Sequence, residues 1–149
     1  MQKLSFEELD KIALFSEGLN SIGGVYSQVR ELYPENNGEE LRDMFLWCIR
    51  ELMTQGRLKF LGEGWVKDGT GPDAPLLFGD APFGEEDIVI DGLKQPQDPS
   101  PEGVTNLIRS KWPPEVEAYS LKNREGFDTL WFEKWDFDWF DKEGNPVYF

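Results

Sequence analysis

The side chains of this chain with the greatest capacity for chemistry are carboxylates. Asp136, Asp138 and Asp141 recur among aromatic rings towards the C-terminal end, and Glu85-Glu86-Asp87 with Asp91 form a second cluster. Three chemistries are open to such groups. A carboxylate pair at a defined separation can hydrolyse a glycosidic bond. A tight acidic loop can hold calcium. An exposed acidic row can dock something basic.

Histidine is absent and Cys48 is the single cysteine. Within this chain that excludes Ser-His and Cys-His nucleophile pairs, an imidazole base, and a thiolate or imidazole zinc site. Calcium fits poorly as well. In Asp141-Lys142-Glu143-Gly144-Asn145 the glycine comes too late and no bidentate Glu follows at the required spacing. That segment reads as a hairpin turn in which Gly144 supplies a positive φ. No phosphate-binding glycine loop, nucleophile elbow or metalloprotease motif is present. An enzyme working on carboxylates alone would need a deep pocket holding a carboxyl of raised pKa. The expectation is therefore a non-enzyme with no cofactor and no metal.

Docking remains, and the charge agrees with it. The chain carries 29 acidic against 15 basic residues, divided unevenly: 11 against 8 in residues 1–67, and 18 against 7 in residues 68–149. Such a surface repels phosphate backbones and steers cationic partners. Read at the period of a strand, Trp135, Phe137 and Trp139 point one way, while Lys134, Asp136 and Asp138 point the other. The ring face stabilises the fold; the acidic face is left for a partner.

The elements that must position these residues follow from periodicity. Ser5-Phe6-Glu7-Glu8 has capping-box form and opens a helix to about Phe15, with Gly18 marking its end. A second helix runs from Ile22 or Gly24 to Tyr33, and Pro34 with the Glu35–Gly38 turn stops it. The third, Glu39 to Gln55, repeats Leu41, Met44, Phe45, Cys48, Ile49, Leu52 and Met53 at helical steps. Residues 57–61 and 65–67 then read as strands of a hairpin around Gly62-Glu63-Gly64. This order resembles a winged helix. Residues 68–100 form a Gly/Pro/Asp-rich excursion with at most a short element at Asp87–Leu93. Ser100-Pro101-Glu102 starts a fourth helix. An antiparallel meander follows, with strands at Val116–Leu121, Phe127–Phe132, Trp135–Phe140 and Val147–Phe149.

The expected class is α+β: an N-terminal winged-helix-like helical part (residues 1–67), then a helix and a small antiparallel β-meander in an acidic part (residues 68–149), sharing one core. A DNA-reading role would place Asp43, Trp47, Arg50 and Thr54 on the outer face of the third helix, and these carry mixed signs rather than a basic footprint. Trp47 lies roughly opposite the apolar stripe. It is either covered by the C-terminal half or exposed as an aromatic anchor for a partner.

The stretch Ile22–Trp65, above all Leu32-Tyr33-Pro34 and the run from Phe45 to Phe60, resembles immunity proteins of bacterial polymorphic-toxin and contact-dependent growth inhibition systems. The resemblance implies a cytoplasmic inhibitor that binds a cognate basic toxin domain, often a nuclease, with no membrane and no nucleic-acid partner. Its contact residues are taken from charge and periodicity alone: Asp136, Asp138, Asp141, Glu85, Glu86, Asp87 and Trp47. A winged-helix regulator and a protein–protein adaptor are the alternatives.

Overall fold

The computed structural model describes residues 4–19, 21–67, 69, 71–79, 84–113 and 129–147. Its elements, in chain order, are α1 (Phe6–Leu19), α2 (Gly23–Leu32), α3 (Gly38–Thr54), β1 (Leu58–Glu63), β2 (Val66–Lys67), β3 (Leu76–Phe78), β4 (Val89–Ile90), β5 (Leu93–Lys94), α4 (Pro101–Ser110), a 3-10 helix (Thr129–Lys134) and β6 (Trp135–Trp139). The α+β layout is the expected one, with helices first and a small antiparallel sheet.

Local chemistry sets the helix starts. The Ser5 amide donates to Glu8 Oε1 at 3.0 Å and the Glu8 amide to Ser5 Oγ at 3.1 Å, closing the capping box. Asn37 and Glu40 form a second such box at the start of α3. Ser100 accepts from the Gly103 amide at 3.0 Å ahead of α4, with Pro101 in the first turn. Gly18 does not end α1, which continues through Leu19; a glycine in a last turn weakens a helix without breaking it.

The sheet order is β4-β5-β1-β6, with β2-β3 a separate pair. The hairpin expected around Gly62-Glu63-Gly64 is therefore not formed. β1 gives one edge to β6, with Leu58 opposite Trp139 and Phe60 opposite Phe137, and the other to β5. β2 turns away to β3. This pairing serves burial: Trp135, Phe137 and Trp139 gain apolar neighbours in the buried Leu58 and in Phe60, whose ring lies 5.0 Å from that of Phe137. The Gly64 amide, donating to the Lys134 carbonyl at 2.7 Å, steers the chain out of the sheet.

The expected strand at Phe127–Phe132 is also corrected, since Thr129–Lys134 is 3-10 helix. The expected strand at Val116–Leu121, the turn at Lys122–Gly126 and residues Tyr148 and Phe149 lie outside the described residues. The excursion holds three strands, β3, β4 and β5, where at most one short element was expected.

One hydrophobic cluster joins Leu9, Ile12, Val25, Tyr26, Phe45 and Ile49 to Val104, Ile108, Trp131, Phe132, Trp135 and Trp139. α3 runs through its middle, packed by α2, α4 and β1. Contact on several sides buries all of Met44–Ile49, well beyond the single stripe read from helical spacing. Asp10 on α1 pairs with Arg57 at 3.0 Å and also with Lys142, tying the first helix to the turn after β6.

Candidate partner-docking surface

β6 alternates as expected: Trp135, Phe137 and Trp139 are buried, Asp136 and Asp138 exposed. Cross-strand neighbours share a face, so the register defines the whole sheet. Asp138 stands opposite Lys59 and Asp136 opposite Gly62. Glu63 stands opposite Lys94, Lys94 opposite Val89, and Leu93 opposite Ile90. The inner row is thus Trp135, Glu63, Lys94 and Val89, while the outer face carries Ile88, Ile90, Leu93, Gly62, Lys59, Asp136 and Asp138. Gly62 sits at φ 148°, and a side chain there would collide with Leu93 Cβ. Glycine is required, and Asp136 consequently has no side chain opposite it.

Partial burial, then the charge of Asp138, pushes the Asp136 carboxyl above the ordinary Asp range. The folded state then holds this proton more tightly than the unfolded chain. Stability falls as pH rises from the ordinary range through the raised value, and ionised Asp136 is destabilising at neutral pH. Asp10 has the opposite sign: hydrogen bonds from Lys142 and Arg57 lower its pKa, and the stability it contributes is lost as pH falls. Asp136→Asn is expected to raise neutral-pH stability by about 0.5 kcal/mol, the scale of a solvent-screened charge contact. The gain should vanish in acid, as read by thermal melts across pH.

The second acidic cluster precedes a tight hairpin. Asp91 (φ 54°) and Gly92 (φ 77°) are both left-handed, the Asp-Gly turn that matches strand twist. Glu85 and Glu86 are exposed. Asp87 is half-buried, accepts from the Gly84 amide at 2.9 Å and pairs with Lys94 at 3.4 Å, so it braces the hairpin. Beside these carboxylates Ile88 is 69% exposed, Val89 40% and Ile90 57%. This aliphatic patch was not among the expected contacts. The apolar triplet bounded by Asp87 and Asp91 is visible in the sequence, but apolar residues read as core by default.

Two expected contacts change character. Trp47 is 8% exposed, within the core, with Phe6 (67% exposed) at 6.4 Å between ring centroids. Of the two outcomes open to it, coverage holds: Trp47 is buried beside Phe6 and is no surface anchor. On the face a recognition helix would need, Asp43 is held by Arg109 at 2.7 Å and Trp47 is buried, while Arg50 and Thr54 stay exposed. Asp141 Oδ1 accepts from the Glu143 and Asn145 amides at 3.0 and 2.9 Å, and Gly144 is at φ 85°, so this carboxylate shapes the turn.

Lys134 does not join the outward stripe, because the strand begins one residue later. It is buried, with Nζ 3.4 Å from Glu63 Oε2 and over the rings of Trp135 (4.6 Å) and Trp131 (5.4 Å). Glu63 is 2% exposed, and Lys111 Nζ meets both its oxygens at 2.7 and 2.8 Å. The sequence reading missed this cluster. It lies beside a cleft of about 400 Å³ lined by residues 94–98 and α4. With both oxygens engaged by ammonium groups, Glu63 is placed to hold the fold. The carboxyl of raised pKa, Asp136, borders a cavity of only about 30 Å³, room for a water and not a substrate. Burial pushes the Cys48 thiol up to about 12, which makes it inert.

Among the described residues no group of acidic or Cys side chains could hold a metal ion, and no helix is long and apolar enough to cross a membrane. No family model, curated protein or solved structure matches the chain.

Proposed function

We propose that this chain is a binding protein that masks a basic protein surface, acting as an immunity-type inhibitor of a cognate toxin domain such as a nuclease. The main support is the outer face of the sheet, which combines exposed Ile88 and Ile90 with the carboxylates Asp136 and Asp138. Apolar anchors give affinity once desolvated, and an acidic rim gives steering and rejects wrong partners. The surroundings of Asp136 disfavour its charge, and a cationic partner would offset that cost. The net charge of −14 and the likeness of Ile22–Trp65 to immunity proteins point the same way. The working compartment under this reading is the cytoplasm.

The test is capture from source-cell lysate at low and moderate salt, followed by expression of the captured domain alone and with this chain. The expected result is one stoichiometric basic domain, toxic alone and harmless in the company of this chain. Protection should fail with Ile88→Asp/Ile90→Asp and weaken with Asp136→Asn/Asp138→Asn. A captured partner indifferent to all four positions would refute the reading.

A further inference from the structure

We propose that the outer edge of β4 is a strand-addition site for an extended, basic segment of a partner protein, an inference that rests on the docking reading above. The Gln95 amide donates to the Ile88 carbonyl at 2.8 Å, and Ile90 stands opposite Leu93. Backbone groups of Ile88 and Ile90 therefore face β5, and the alternation of an antiparallel ladder turns the N–H and C=O of Val89 to the outside. β4 is the last strand of the sheet, and no described strand pairs with that edge.

Exposed edges are ordinarily blunted by shortness, Lys, Pro or a bulge. β4 is short, but Asp87–Asp91 contains no Lys or Pro, and the two-residue turn sets its direction. An edge already set in direction lowers the ordering cost of binding. Main-chain bonds at Val89 would supply direction, while apolar side chains of the incoming strand cover Ile88 and Ile90 on the outer face. Glu85, Glu86 and Asp91 flank the edge and are exposed, so the complementary strand carries Lys or Arg at its other positions. A second copy of this chain is the wrong occupant, since it would bring the same carboxylates and another net −14 to the contact.

The experiment uses the isotope-labelled chain and a synthetic peptide of alternating lysine and valine, with an alternating glutamate and valine peptide as control. Binding of the lysine peptide should slow hydrogen exchange at the Val89 amide. Val89→Pro removes the outward donor and leaves the Ile88–Gln95 bond; it should weaken binding about tenfold, the loss expected for a bond or two at this edge, at an unchanged melting temperature. If the proline variant melts early, the Val89 exchange rate in the native chain decides. Undiminished binding to Val89→Pro, with shifts confined to Asp136 and Asp138, would overturn strand addition while leaving the acidic docking face intact. No binding, or equal binding of the glutamate peptide, would overturn addition of a basic strand, while the docking reading stands or falls on the capture experiment. Self-association abolished by Val89→Pro would show that the edge serves a second copy and overturn the basic partner.

Discussion

Glu63→Ala is expected to destabilise the protein by about 3–5 kcal/mol, the penalty for leaving buried charges without their partner. Glu63 sits on β1, Lys111 caps α4 and Lys134 ends the 3-10 helix, so one carboxylate ties three elements. Glu63 and Lys134 are both nearly inaccessible, and neither side chain is free to swing into water. Removing the carboxylate leaves Lys134 on the faces of Trp131 and Trp135, whose attraction of about 2 kcal/mol when desolvated offsets only part of the loss. In a chain of this size the melting temperature should fall by roughly 10 °C or more. Glu63→Gln retains the shape and removes the charge, and should fall between the two. Glu63→Leu combined with Lys134→Met should recover much of the loss, since a well-packed apolar pair replaces a buried ion pair at little net cost. Urea denaturation of the four proteins measures this directly. A loss under about 1 kcal/mol for Glu63→Ala would mean the ammonium groups reach water and the cluster is a surface one.

What the sequence made legible was local. Ser5 with Glu8 and Ser100 with Pro101 announce helix starts within a few residues, and Leu41 to Met53 announces the long helix by its period. The alternation of Trp135 to Trp139 held residue by residue, because one strand face meets the core and the other meets water. Choices settled by distant partners were not legible. Which strand β1 would pair with depended on rings more than seventy residues away, and the Glu63–Lys134 pair spans 71 positions. Trp47 was left open between coverage and exposure because a helical wheel shows one apolar stripe, whereas α4 packs a second side of α3 and Phe6 of α1 stands beside Trp47. The candidate site was half legible: the carboxylates at 85–87, 136 and 138 stood out as charge. That Ile88 and Ile90 face outward is a tertiary fact, set by the Asp91-Gly92 turn and the edge position of β4.

Phe132→Ala is expected to remove about 3–5 kcal/mol and to do so across the whole chain at once. The ring lies 5.4 Å from both Tyr26 of α2 and Phe45 of α3, and 5.1 and 6.1 Å from Trp131 and Trp112. These contacts are edge-to-face or tilted, each contributing beyond simple area burial. Deleting the ring opens a cavity between the helical part and the C-terminal segment that neither side can close by a rotamer change alone. Because β6 is held against β1 and its rings share this cluster, the damage should not stay near residue 132. Near-ultraviolet and far-ultraviolet dichroism should report one coincident transition at reduced denaturant, in the variant as in the native chain. Amide exchange should quicken in α3 as much as in β6. If α3 amides keep their native protection while β6 opens, residues 1–67 fold as a unit of their own, and the aromatic cluster is an interface rather than a core. Coincident loss would instead establish that the outer face of the sheet and the helices beneath it form one cooperative structure, so that any partner bound at the proposed face would stabilise the entire chain.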